Sequence, residues 1–197
     1  MADAAARNLP HAPATQWMRV LPPAMRFILH GGVAARAAAA PIWGAAFAER
    51  PCRAVTQGSR ATLWLGPDEY LLLGIDPEPH AATAADTTAG DPAAAAAFHS
   101  IERALGDLPH ALVDISHRQF ALEVSGPHAA TILSGACPLD LDLGEFPIGM
   151  CTRTVLAKAD IVLWRTREAA FHLEAWRSFH GYVTGLLREI AAEFYGT

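Results

Sequence analysis

The densest group of chemically capable side chains in the sequence is Asp114, Ser116, His117 and Arg118, within the run Val-Asp-Ile-Ser-His-Arg. Histidine titrates near neutral pH, and arginine can hold a carboxylate through two parallel hydrogen bonds. These residues could therefore bind an anion or orient a partner group where two strands meet. The alternative is a turn, in which Asp114 and Ser116 bond to backbone amides and Arg118 pairs with Asp114.

Cys151 and Arg153 form a second candidate site. Residues two apart on a strand share a face, and a nearby cation favours a reactive thiolate. The alternative is a small buried or half-buried cysteine with no reactivity. We group Arg153 with Asp114, His117 and Arg118 as a candidate polar or interface cluster.

The sequence contains no recognisable catalytic, metal-binding or nucleotide-binding motif. Ser116 and His117 are adjacent, so on a strand they point to opposite faces and cannot form a Ser-His-Asp triad. His110, Asp114 and His117 would align only on a helix, and the segment is predicted to be extended. His30-Gly31-Gly32 could be a phosphate nest or a tight strand-to-helix turn, and the dinucleotide and P-loop motifs are missing around it. We therefore assign no catalytic, cofactor-binding or metal-binding residue.

Four aromatic residues near the C-terminal end could serve either the core or a partner subunit. Residues with these side chains and spacings usually pack in a core. Some could instead form an exposed patch at an interface. The four are Trp164, Phe171, Trp176 and Phe179.

Composition limits the class of protein. The chain has 197 residues, of which 52% are hydrophobic and 18% charged, and this excludes wholesale disorder. The net charge of −5 argues against a nucleic-acid-binding surface or an anionic-membrane anchor. No apolar stretch approaches a transmembrane helix, and the first residues show no secretory h-region. The three widely spaced cysteines favour a reducing cytosol, so we expect a cytoplasmic protein.

The pattern of apolar runs and turn signals predicts a pseudo-duplicated α+β fold. Residues 1–24 are predicted to be an N-terminal arm, 25–106 a first half and 107–197 a second half of one compact unit. Each half has the order strand, helix, three strands, helix. The segment 76–92 has no periodicity and is predicted to be a long exposed loop. The predicted strands are 25–29, 53–57, 61–65, 69–75, 111–115, 119–124, 152–157, 160–165 and 170–176, and the predicted helices are 33–40, 92–106, 127–134 and 178–194.

Several of these runs resemble the gamma subunit of heterotetrameric sarcosine oxidase, a family related to the folate-binding T-protein of the glycine cleavage system. The resemblance covers most of the chain between about residues 60 and 190. The runs that carry it are 65–73 (Leu-Gly-Pro-Asp-Glu-Tyr-Leu-Leu-Leu), 113–119 (Val-Asp-Ile-Ser-His-Arg-Gln), 137–141 (Cys-Pro-Leu-Asp-Leu), 146–154 (Phe-Pro-Ile-Gly-Met-Cys-Thr-Arg-Thr), 161–165 (Ile-Val-Leu-Trp-Arg) and 176–179 (Trp-Arg-Ser-Phe).

The resemblance implies a T-protein-like fold and a place in a complex of alpha, beta, gamma and delta subunits. That complex oxidatively demethylates sarcosine to glycine, produces hydrogen peroxide, and yields 5,10-methylenetetrahydrofolate or formaldehyde. In that family FAD, FMN, NAD, zinc and the tetrahydrofolate site belong to the other subunits, and the gamma chain packs chiefly on alpha. The resemblance supplies no catalytic residue for this chain, which is therefore expected to be a non-catalytic structural subunit.

Two other functions remain open at this point. A T-protein-like core could be a stand-alone folate-binding or one-carbon transfer module, with Asp114 or Arg118 at the rim of a central pocket. The chain could also be a scaffold that only self-associates. The folate-binding proteins linked to iron–sulfur maturation carry a Lys-Gly-Cys-Tyr-x-Gly-Gln-Glu-like run, and 148–153 departs from it.

Overall fold

A computed structural model describes residues 17–75 and 92–195. Residues 1–16 of the predicted arm and 76–91 of the predicted loop lie outside the described residues. The strands in chain order are β1 Met18–Val20, β2 Arg26–Gly31, β3 Ala54–Gln57, β4 Arg60–Gly66, β5 Glu69–Gly74, β6 His110–Asp114, β7 Gln119–Ser125, β8 Cys151–Leu156, β9 Ala159–Arg167 and β10 Ala170–Trp176. The α-helices are α1 Val33–Trp43, α2 Pro92–Leu105, α3 Ala129–Ser134 and α4 His180–Tyr195, with a 3₁₀ turn Arg177–Phe179 before α4.

The strands form two antiparallel five-stranded sheets. The first sheet has the order β3-β4-β5-β2-β6, and the second has the order β8-β9-β10-β7-β1. Each half contributes two strands, a helix, three strands and a second helix, which is the predicted order with one more strand at its start. The predicted α+β, pseudo-duplicated fold is therefore confirmed.

The two halves exchange edge strands. β1 pairs with β7 through Met18↔Val124 and Val20↔Leu122, which places it at the edge of the second sheet. β6 pairs with β2, so it closes the first sheet. Residues 18–20 were predicted to be part of the arm, and their strand was not predicted. The exchange is symmetric, because β1 and β6 hold equivalent places in the two halves.

Side chains alternate along the central strands between a helix-covered face and a face shared by the two sheets. In β2, Phe27 and Leu29 pack under α1 and α2, whereas Ile28 points toward the second sheet. In β9, Ile161 and Leu163 pack under α3 and α4. The result is four layers, with helices outside and the two sheets in contact.

The strand-to-helix turn after β2 shows why glycine is needed there. A Cβ on Gly31 would lie 2.7 Å from the Cβ of Ala35 in the first turn of α1. Only a residue without a side chain permits this approach, and the tight-turn interpretation of His30-Gly31-Gly32 is confirmed. Within residues 17–75 and 92–195, no helix combines the length and apolarity needed to cross a membrane.

Candidate functional site

A cleft of about 410 Å³ opens between the two sheets. This volume lies within the range of small-molecule and side-chain binding pockets. One wall is apolar and comes from the first sheet, and the other carries most of the polar groups and comes from the second. The lining residues are Ile28, Leu65, Leu71, Ile115, Arg118, Gln119, Arg153, Thr154, Asp160, Ile161, Val162, Glu174 and Trp176.

The cleft brings together two members of the candidate polar cluster. Arg118, in the turn before β7, and Arg153, on β8, both line it. Asp114 and His117 are exposed and lie outside the lining. Remote segments of the chain therefore meet here, while two sequence neighbours of Arg118 point elsewhere.

Between β6 and β7 the structure supports the turn interpretation for two residues. Ser116 donates its backbone N–H to Asp114 Oδ1 over 2.8 Å, and Arg26 donates its backbone N–H to Ser116 Oγ over 2.9 Å. The expected Arg118–Asp114 pair is replaced by another contact, with the Arg118 guanidinium 5.2 Å from the ring centroid of Trp176. Asp114 and Ser116 thus shape the turn, and Arg118 remains directed to the cleft.

Arg153 reaches across the cleft mouth to the first sheet. Its guanidinium donates two hydrogen bonds of 2.6 Å each to the two carboxylate oxygens of Glu69. The hydrogen bond and charge of Arg153 lower the pKa of Glu69 below 4.5 despite partial burial. Because this fork occupies the guanidinium, Arg153 joins the two sheets.

A buried charge network lies between the sheets beside the cleft. Arg26 Nε donates to Glu174 Oε2 over 2.6 Å, and His172 Nε2 lies 2.7 Å from Glu174 Oε1. Arg26 also donates to the Ala24 carbonyl over 3.0 Å. Burial raises the pKa of Glu174, but the Arg26 charge and the hydrogen bonds from His172 and Arg26 outweigh it, so the pKa is lowered.

The sequence interpretation missed this network, although a signal for it exists. The β10 run Phe-His-Leu-Glu-Ala-Trp and the start of β2 each place a charged residue inside an otherwise apolar strand. A charge at such a position is rarely buried without a partner. The sequence therefore indicates that Glu174 and Arg26 each need a partner, although it does not name the partner.

Cys151 has the structural role rather than the reactive one. Its side chain is buried, and its thiol donates to the Trp64 carbonyl over 3.6 Å. Burial raises the pKa of Cys151 to about 12. The thiolate that a nucleophile needs is therefore disfavoured, and the prediction of a buried cysteine is confirmed.

The four aromatic residues divide between core and surface. Phe171 packs in the core of the second sheet, with Phe179 against it, and Trp164 lies between the sheets. Trp176 is 45% exposed at the cleft mouth. It pairs directly with Gln119 across the β7–β10 ladder, so these two side chains share a face. The patch interpretation thus applies to Trp176 alone.

Arg165 anchors the long connection between α3 and β8. It is buried and donates to the carbonyls of Leu141, Phe146 and Glu168 over 2.7–3.1 Å. Its guanidinium also lies 4.7 Å from the ring centroid of Phe171. This connection contains two of the runs behind the family resemblance, and Arg165 fixes its path.

The described residues contain no group of three or more His, Cys, Asp or Glu side chains arranged to hold a metal ion. The polar groups that line the cleft are two guanidiniums, the carboxylates of Asp160 and Glu174, the Thr154 hydroxyl, an amide and an indole. Such groups bind and orient.

Comparisons with a family model and with curated relatives agree on one family. The model of the sarcosine oxidase, gamma subunit family matches residues 30–193. The sarcosine oxidase subunit gamma of Corynebacterium sp. strain P-1 is 36% identical over 134 residues, 68% of this chain and 58% of the relative. The corresponding subunit of Corynebacterium sp. strain U-96 is 32% identical over 134 residues, 68% of this chain and 57% of the relative. These alignments cover under two thirds of the relatives' length.

Solved structures agree with the fold. A chain of the heterotetrameric sarcosine oxidase from Corynebacterium sp. U-96, in complex with pyrrole 2-carboxylate, superposes with a TM-score of 0.77 at 28% identity, covering 91% of this chain and 85% of that one. The glycine cleavage system aminomethyltransferase T from Bartonella henselae superposes with a TM-score of 0.60 at 13% identity, covering 86% of this chain and 44% of that one. The second likeness shows a T-protein-like fold. With the family match across residues 30–193, the chain belongs to the sarcosine oxidase gamma subunit family.

Proposed function

We propose that this chain is the non-catalytic structural gamma subunit of a flavin-dependent heterotetrameric sarcosine oxidase. The assembled enzyme oxidatively demethylates sarcosine to glycine, releases hydrogen peroxide, and yields 5,10-methylenetetrahydrofolate or formaldehyde. The observation that carries the proposal is the superposition of 91% of this chain on a chain of a heterotetrameric sarcosine oxidase. The proposal places the chain in sarcosine catabolism and one-carbon metabolism in the cytoplasm.

The contacts at the cleft support a structural role. Arg153 is held by Glu69, and Glu174 is held by Arg26 and His172. The hydrogen bonds of these groups join the two sheets. A general acid or base needs a proton-exchanging atom within reach of substrate, and these paired groups are committed to the fold.

The proposal assigns the redox chemistry to the partner subunits. FAD, FMN, NAD, zinc and tetrahydrofolate are expected in alpha, beta and delta, and alpha is expected to be the chief contact of this chain. An isolated chain should therefore bind no flavin and oxidise no sarcosine.

Co-expression of the tagged chain with candidate alpha, beta and delta subunits tests the proposal. We expect one high-mass species on size exclusion, with flavin absorbance and peroxide formation from sarcosine. A matched preparation without the tagged chain shows what the other three subunits do alone. A colourless 21.0 kDa species that elutes separately from these subunits would overturn the proposal.

Calorimetry separates this function from a stand-alone folate-binding module. Tetrahydrofolate titrated into the isolated chain should give no heat of binding. Saturable heat, removed by Arg118→Ala at the cleft, would instead favour the folate-binding alternative.

A further inference from the structure

Four exposed residues at one end of the β7–β10 ladder form a continuous surface, which we call the Trp176 patch: His117, Arg118, Trp176 and Arg177. The Arg118 guanidinium lies 5.2 Å from the Trp176 ring centroid. Arg177 donates its backbone N–H to the Arg118 carbonyl over 2.9 Å and its Nη1 to the His117 carbonyl over 3.5 Å. Because Arg118 and Trp176 also line the cleft, the patch continues into it.

The Trp176 patch is cationic on an acidic chain. Arg118 and Arg177 carry permanent positive charges, whereas the whole chain has a net charge of −5. Across residues 17–75 and 92–195, the ion pairs involve neither of these two guanidiniums. Two adjacent arginines without carboxylate partners favour a negatively charged ligand.

The patch also offers an exposed apolar surface and, beside it, an unpaired hydrogen-bond acceptor. Trp176 is 45% exposed, and tryptophan and arginine are both enriched among the residues that dominate interface binding energy. Gln119 lies opposite Trp176 in the ladder, and its buried Oε1 receives no hydrogen bond from any described residue. A buried acceptor of this kind is stabilised when a donor reaches it.

We propose that the Trp176 patch and the adjoining cleft mouth bind an extended acidic segment of a partner subunit. Carboxylates of the segment pair with Arg118 and Arg177, and one of its backbone N–H groups donates to Gln119 Oε1. An apolar side chain of the segment packs on Trp176 and enters the cleft. The inference rests on the proposed function, since it names the surface by which the subunit joins its complex. A second copy fits poorly, because two chains of charge −5 repel each other.

Affinity measurements on the assembled complex test this surface. Arg118→Glu and Trp176→Ala should each weaken binding of the chain to the remaining subunits by about tenfold or more. Arg188→Glu is the matched control, because it makes the same charge change on exposed α4, about 12 Å along the helix axis from His180. Its affinity should equal that of the wild type. Circular dichroism melting of each free chain establishes that the variants fold.

Gln119→Leu supplies a readout that a merely structural residue would not give. It removes a buried acceptor that has no donor in the described chain, so the free chain should melt no lower than the wild type. The same variant should bind the partner subunits more weakly. Reduced melting temperature with unchanged affinity would overturn the role of Gln119.

A photo-crosslinking amino acid at position 176 identifies the partner segment. In the assembled complex, mass spectrometry should find the crosslink on an Asp- or Glu-containing segment of another subunit. A crosslink to a second copy of this chain, or to a segment without acidic residues, would overturn the inference. If the wild-type complex forms but Arg118→Glu binds as tightly as Arg188→Glu, the surface is wrong and the proposed function stands. If no complex forms with the wild type, the proposed function itself fails.

Discussion

Arg26 and Glu174 lie 148 residues apart in the chain, yet Arg26 Nε donates to Glu174 Oε2 over 2.6 Å in the space between the sheets. Both side chains are almost fully buried. A buried charge without a partner is strongly unfavourable. The pair therefore ties β2 of one half to β10 of the other at a defined position.

Breaking this pair should cost much of the stability of the chain. We expect Arg26→Met to lower the free energy of unfolding by about 3–5 kcal/mol, because it leaves the Glu174 carboxylate buried with His172 alone. Equilibrium urea unfolding measures the change.

The double variant Arg26→Met/Glu174→Leu is the control for the buried pair. Replacing both charges by apolar side chains removes the uncompensated charge, so the double variant should be more stable than Arg26→Met. Strictly additive losses would show that the two residues do not stabilise each other.

Acid should destabilise the fold through Glu174 and Glu69. The pKa of each carboxyl is lowered below its ordinary value in the folded chain. Below the ordinary carboxyl pKa of 4.5, the unfolded chain therefore binds more protons than the folded chain does. The contribution of these carboxyls to the free energy of unfolding is complete above that pH, and it is lost as pH falls through the folded pKa. Urea curves between pH 7 and pH 3 test this, and Glu174→Gln should flatten the slope. An unchanged slope in that variant would contradict the assignment.

The Arg153–Glu69 ion pair should contribute little to stability despite its two short hydrogen bonds. The side chain of Arg153 is 49% exposed, so solvent weakens the attraction. A double-mutant cycle with Arg153→Ala and Glu69→Ala should give a coupling energy of about 0.2–1 kcal/mol. A coupling energy as large as that of the Arg26–Glu174 pair would mean that solvent screens the charges at the cleft mouth far less than the exposure of Arg153 indicates.

Arg165 should be required for the path of the α3–β8 connection. Arg165→Lys keeps the charge but cannot reach the carbonyls of Leu141, Phe146 and Glu168 together, so we expect about 2–4 kcal/mol of destabilisation. Hydrogen exchange should accelerate at residues 137–149. Arg188→Lys on exposed α4 is the matched control and should change neither.

Thiol labelling should discriminate between two of the cysteines. Burial raises the pKa of Cys151 to about 12, whereas Cys52 is partly exposed. At pH 8 a disulfide reagent should label Cys52 well before Cys151 in the folded chain. In denaturant both should react at similar rates. Equal rates in the folded chain would show that Cys151 is accessible.

Much of the secondary structure was predictable because strand alternation and helix periodicity are local. The predicted strand 152–157 is found as Cys151–Leu156, and the predicted helix 178–194 as His180–Tyr195. Pairing is not local. Met18–Val20 has only three residues and no pattern of its own, and it becomes a strand because β7 offers a free edge.

Residues of the site were predictable from the sequence only where the charge of the side chain indicated a binding role. Arg118 and Arg153 were singled out by charge and do line the cleft. Gln119 and Trp176 were not assigned to that cleft, since their roles depend on facing each other across β7 and β10. The sequence contains both residues, but it does not contain the register that joins them.

The exchange of β1 and β6 makes the chain resemble a two-fold dimer joined into one polypeptide. Each half gives away an outer strand and receives the equivalent one, as two subunits do in a reciprocal swap. Neither half can then satisfy its own sheet, because without the exchanged strand the backbone groups of β7 or β2 lose their partners. The two halves should therefore fold and unfold as one cooperative unit, and severing them into separate proteins would leave each with an open, association-prone edge.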